Sequence, residues 1–321
     1  MPTINDVLVE WLDSVKQSRA DKTYRTYKST SIFFKRVLTH HGVDPNGSLI
    51  ETLEERSISW LISELNSLSV QTEKLRVIAI RQFFKFCISE YDIDLKMPKV
   101  ESLVKQRGRR AGKRIAKFNR EGIDTVLAGI QSMRYPKDSL DRLILLRDRA
   151  FIVTLADTGL RVHEACALRR KEIDWNKRRA VLIGKGNKEA VIRFKKRTLD
   201  LIKSYLDARA KLDGKTGTPL SDLAVFARHD DGAGDKILPI NTGTGRNIVK
   251  DRVIQILGSA DPKITPHSFR HYFITRIYEQ TGDLYIAQSM ARHENIDTTG
   301  RYAHLSDNRL DKIYDQAMDE K

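Results

Sequence analysis

Apolar residues recur every three or four positions through roughly the first ninety residues, and no stretch there alternates with a period of two. Such spacing lays one apolar stripe along each of several helices and argues against a sheet in this part of the chain. Ile4, Val7, Leu8, Trp11, Leu12 and Val15 follow Thr3, whose hydroxyl suits a helix N-cap. Three further helices are predicted over residues 21–41, 55–67 and 69–90. Their anchors are Phe33, Phe34 and Val37, then Leu61, Ile62 and Leu65, then Leu75, Ile78, Phe83 and Phe86. On the last helix Lys74, Arg81 and Lys85 share one edge, which is either a solvated face or a track for a phosphate backbone.

Residues 98–118, PKVESLVKQRGRRAGKRIAKF, carry eight Lys or Arg against one Glu and show no sustained hydrophobic period. They read as a basic linker between a helical domain, 1–97, and a second domain, 119–321, extended until an anion neutralises it; Arg107, Arg109 and Arg110 either form a solvated charge run or meet phosphates. The second domain starts with helices to about Ala156. RRAVLIG and AVIRF then flank Lys185-Gly186-Asn187-Lys188 as a β-hairpin. Helix resumes near 196–212, followed by a loop-rich stretch, 213–243, interrupted by LAVFA. The chain is therefore expected to be mainly α with one small β-sheet.

A formal charge of +15 over 321 residues implies a polyanionic partner, nucleic acid before membrane surface. No apolar run approaches the roughly 20 residues of a membrane span, and the start MPTINDVLVEW lacks the order of a signal peptide, so a cytoplasmic protein is expected. Cys87 and Cys166 lie among apolar neighbours in helical patterns and read as reduced core thiols.

Four short pieces carry chemistry. In ADTGLRVHE, Gly159 suits a left-handed helix end, Arg161 falls at the next helix start, and Glu164 is spaced to hold its guanidinium. Lys185, with Lys188 behind it, sits on the hairpin turn, where an ammonium is either solvated or free to give a proton to a leaving oxygen. In TPHSFRH, Thr265 and Pro266 suit a helix start, so His267 and Arg270 share a face and can bond one phosphate. His267 and His271 also have metal-ligand spacing but lack the glutamate of HExxH, which leaves His271 a structural reading. His293 and Tyr302 lie on consecutive elements. A phenol becomes a nucleophile only if cations stabilise its phenolate or a base takes its proton.

In this order the pieces resemble the tyrosine recombinase family of phage integrases and Xer-type recombinases, over nearly the whole chain. The resemblance implies a SAM-like helical core-binding domain before an α+β catalytic domain. It implies that Arg161, Lys185, His267, Arg270 and His293 surround a scissile phosphate attacked by Tyr302, with Glu164 in support. Cleavage would leave a 3′-phosphotyrosyl link, strands would exchange through a Holliday junction, and neither metal nor other cofactor would take part.

The partner implied is a double-stranded recombination site, contacted also by Lys188 and Arg246. Leu310, Ile313, Tyr314, Ala317 and Met318 are spaced for a short amphipathic tail helix that needs a groove, either in its own domain or, as the resemblance implies, on a neighbour in a tetramer. Phe269 stands where leucine is usual and Arg292 where glycine is common, which puts the backbone at 292 in question. Relaxation of DNA in the manner of a type IB topoisomerase, or binding without reaction by a regulator of this fold, are the competing readings.

Overall fold

The computed structural model describes residues 1–109, 118–183, 189–230, 232–234 and 236–292. The chain forms two compact units, Met1–Arg114 and Ile115–Lys321.

In the first unit, α1 (Ile4–Ser18) starts at a reciprocal cap: the Thr3 hydroxyl accepts from the Asp6 amide and the Asp6 carboxylate accepts from the Thr3 amide. Helices α2 (Asp21–His40), α3 (Ser57–Glu64) and α4 (Val70–Tyr91) follow. Trp11 stacks on Tyr27 with ring centres 5.3 Å apart, and Phe34, Phe83 and Phe84 close the core beneath.

Two expectations for this unit need correction. Of the expected α4 anchors, Phe83 is fully buried and Phe86 packs against the core, but Leu75 and Ile78 do not anchor the helix; they are 55% and 46% exposed, and the buried residues are Glu73, Val77, Ala79, Ile80, Phe83, Phe84 and Cys87. Apolar residues occur on more than one face of this helix, so spacing alone left two faces in competition. The buried face begins with an acid rather than with a leucine. Nor is the basic segment extended from 98, because Met97–Arg107 forms α5, with Pro98 in its first turn and Val100 fully buried. Glu55 holds its start, accepting from the Lys96 amide and the Lys99 ammonium, both at 3.0 Å.

The second unit packs α6 (Arg120–Ser132), α7 (Ser139–Thr158) and α8 (Val162–Ala167) before an antiparallel sheet of three strands. Strands β2 (Arg179–Ile183) and β3 (Glu189–Arg193) are the expected hairpin arms, with Ala180 opposite Ile192. A two-residue strand, β1 (Ile173–Asp174), joins β2 and is too short to carry a period in the sequence. Helices α9 (Lys196–Asp213), α10 (Thr242–Leu257), α11 (Pro266–Thr281) and α12 (Leu284–Ala291) complete the described part.

The 213–243 stretch is tethered from below by Arg209 on α9, which has no exposed surface. Its guanidinium donates to the carbonyls of Ala224 and Val225 and to the Asp213 carboxylate. Those bonds satisfy a buried charge and turn LAVFA into core, with Val225, Phe226 and Ala227 fully buried. Cys87 and Cys166 are free and buried, and burial pushes the Cys166 thiol up to about 11. Among the described residues no helix is long and apolar enough to cross a membrane.

Candidate active site

Gly159 ends α7 in the left-handed conformation at φ +62°, and an added Cβ would lie 2.4 Å from the Phe273 ring. The turn places Arg161 as the N-cap of α8. Glu164 accepts from the Arg161 amide at Oε2 (2.7 Å) and from its guanidinium at Oε1 (3.0 Å), so the side chain is held while remaining 43% exposed.

His267 and Arg270 come from the first two turns of α11. Thr265 caps the first turn through a reciprocal bond pair with Ser268, and Pro266 occupies its opening position. Spacing of three residues turns both side chains the same way. Arg270 is 3% exposed and donates from Nη1 to the Gly159 carbonyl at 2.6 Å and from Nη2 to the Ala291 carbonyl. Its position is thereby set by the end of α7 on one side and the end of α12 on the other.

Arg161, His267 and Arg270 line one cavity of about 720 Å³, together with Arg246 and Lys250 from α10 and Asp261. Four cationic side chains against one carboxylate make this wall attractive to an anion. The His267 imidazole is held below its ordinary 6.5, first by desolvation and then by Arg270 and Arg161. It is thus neutral near pH 7 and able to accept a proton. His271 packs edge-to-face with His267, with centres 4.2 Å apart, and stacks with Phe118 at 6.3 Å, in keeping with a structural role.

Arg292 reaches the same cluster. Its Nη1 donates to Glu164 Oε2 at 3.1 Å and its Nη2 to the Gly159 carbonyl at 3.2 Å. The backbone there has φ +55°, the left-handed conformation that a glycine would adopt freely. Burial pushes the Glu164 carboxyl up, but Arg292 and then Arg161 outweigh it and hold the group below the usual carboxylate range.

Arg161, Glu164, His267, Arg270 and Arg246 are therefore brought together. Lys185, Lys188, His293, Tyr302, Arg110 and residues 310–318, where a tail helix is expected, lie outside the described residues. In the first unit Lys74, Lys85 and Arg107 are exposed, while Arg81 is paired with Glu101 at 2.6 Å. Arg109 does not stand free for a phosphate. Its side chain donates to buried Glu73 and to the carbonyls of Leu65 and Leu68. Lys250 was missed by sequence reasoning, although its spacing of four from Arg246 was a usable signal. Arg292 was visible in the sequence only as a departure from glycine.

Residues 134–309 match the family model described as Phage integrase family. Tyrosine recombinase XerC of Actinobacillus pleuropneumoniae is 26% identical over 313 residues, covering 94% of this chain and 90% of that protein. Tyrosine recombinase XerC of Pelobacter propionicus is 35% identical over 172 residues, covering 54% and 52% of the two chains. Among solved structures, the XerH site-specific recombinase bound to palindromic difH substrate, a post-cleavage complex, matches with a TM-score of 0.68 at 20% identity, covering 91% of this chain and 79% of that one. The Tn1549 transposon integrase in complex with circular intermediate DNA matches with a TM-score of 0.63 at 18% identity and covers both chains fully.

Proposed function

This chain belongs to the phage integrase family, and on that premise we propose that it is a site-specific tyrosine recombinase that cuts and rejoins DNA through a 3′-phosphotyrosyl intermediate at Tyr302. The observation that carries this reading is the convergence of Arg161, His267 and Arg270 on one cationic cavity. In the reaction the Tyr302 oxygen bonds to phosphorus as the bond to the 5′ oxygen breaks. Lys185 supplies the proton to the departing oxygen, and the phenolic proton passes to a base for which neutral His267 is suited.

Arg161 and Arg270 stabilise charge on the non-bridging oxygens, the task a metal performs in other phosphoryl transfers, and His293 completes the phosphate's surroundings. The reverse attack by a 5′ hydroxyl of a second duplex exchanges strands through a Holliday junction. No outside energy source is required, because the phosphodiester is conserved as a phosphoester of tyrosine. The acting form is a tetramer on a double-stranded site, assembled through the tail helix at 310–318 in the groove of a neighbour.

Covalent trapping on genomic DNA, read by sequencing, identifies the site. A nicked suicide substrate carrying that site should then give a protein–DNA adduct with the wild type and none with Tyr302→Phe, which should still bind. An adduct that persists with Tyr302→Phe excludes the assignment.

A further inference from the structure

Three arginines and one acid form a connected network in the second unit. Arg161 and Arg292 each donate to Glu164, while Arg270 and Arg292 both donate to the Gly159 carbonyl. Among the described residues, Arg292 joins the Arg161–Glu164 pair to the Arg270–Gly159 pair. Its side chain is only 12% exposed, and it occupies a backbone conformation that a residue with a Cβ resists. A buried charge in a strained conformation persists only where surrounding contacts enforce it.

The way Glu164 is shared suggests what those contacts do. Oε1 accepts from the Arg161 side chain, whereas Oε2 accepts from the Arg161 amide and from Arg292. A carboxylate facing a single guanidinium tends to draw it into a two-bond fork. With Arg292 and the Arg161 amide on Oε2, the Arg161 side chain contributes one bond, and among the described residues its other donors are not spent. Charge follows the same logic: three guanidiniums less one carboxylate leave +2 on the network, and +1 without Arg292.

We propose that Arg292 is a positioning residue that neutralises Glu164 and thereby leaves Arg161 available to a phosphate in the adjoining cavity. It deepens the recombinase reading and rests on it for the identity of that phosphate. The other possibility is a plain tie between the end of α12 and α8, with no effect on anion binding except through folding.

The test titrates inorganic phosphate into the full chain and follows the ¹⁵N shifts of the His267 ring and the arginine side chains. Wild type, Arg292→Gly, Glu164→Gln and the double variant are compared, with melting curves for each. Arg292→Gly should weaken phosphate binding about tenfold, the loss typical of a supporting contact behind a ligand-binding group. Its melting temperature should change little, because relief of the backbone at φ +55° opposes the loss of the ion pair to Glu164, which Arg161 still holds.

In the Glu164→Gln background the same change should cost about twofold, since the acid to be neutralised is gone. Equal losses in both backgrounds, wild-type affinity in Arg292→Gly, or no phosphate binding by the wild type would each overturn the proposal. Should Arg292→Gly fail to fold, Arg292→Lys decides: near wild-type affinity supports the role, and a tenfold loss refutes it. A wild type that binds phosphate but yields no covalent DNA adduct would break the recombinase reading alone.

Discussion

Two arginine clusters in the second unit treat their charge in opposite ways. Under the 213–243 stretch, Arg209 is fully buried and donates to two carbonyls, to Asp213 and to the Tyr205 hydroxyl. At the candidate site Arg161 is 43% exposed, and its side chain bonds the protein through Glu164 while facing a cavity rich in other cations. A cation whose donors are satisfied internally serves the fold. One held in place but incompletely paired, beside others of its sign, is stabilised by an anion from outside. Neighbouring charges therefore separate architecture from chemistry here, although both clusters are built from the same residue type.

The contrast is sharpest in kinetics. Arg161→Ala should lower the rate of adduct formation on a suicide substrate by about a thousandfold, on the scale of arginine fingers in phosphoryl transfer, and leave the unfolding midpoint nearly unchanged. A large stability loss in that variant would erase the distinction between the clusters.

Arg209→Ala should do the reverse. The loss should be about 3 kcal/mol, toward the low end for breaking a buried ion pair, read as a shift in urea-induced unfolding: the loop carbonyls and Asp213 Oδ1 lose their donor, while Arg170 still holds Asp213 Oδ2. A variant unfolding like the wild type would show that the stretch does not depend on this tether.

A smaller effect follows from His229, whose ring nitrogen lies 2.7 Å from the Tyr205 hydroxyl. Burial, then Arg147 and Arg209, lower its pKa from 6.5 to about 3. Between those values the unfolded chain binds a proton that the folded chain does not. The contribution to stability is thus complete above pH 6.5 and is lost as pH falls toward 3. Unfolding free energy measured at pH 7.5 and pH 5 should drop by about 2 kcal/mol from this group. His229→Gln should be spared that part of the drop, and an equal drop in both chains would contradict the burial of a neutral ring.

Much of the local structure was legible before any coordinates. Thr3, Gly159, Thr265 and Pro266 mark helix ends through effects that act within a few residues, and the structure puts each to that use. Hairpin arms around residues 179–193 were readable for the same reason. The face of α4 was readable only in its second half, at Phe83 and Phe86; in the first half apolar residues on several sides satisfy helical spacing equally, and packing against other helices selects Val77 over Leu75 and Ile78. Residues 97–107 were misread because a dense charge pattern masked Val100, Leu103 and Val104, a short apolar stripe that burial makes sufficient.

At the candidate site the division has the same cause. Sequence alone determined which groups were available to handle a phosphate and how each is presented on its own turn, since capping and spacing are short-range. Tertiary structure decided that Arg161 and Arg270, more than a hundred positions apart, share one cavity, and that Arg292 bridges their supports. It also decided that Arg109 serves an internal acid and that Arg209 holds a loop. The worth of a charge depends on its distance to other charges and to water, and that distance is a property of the packed chain.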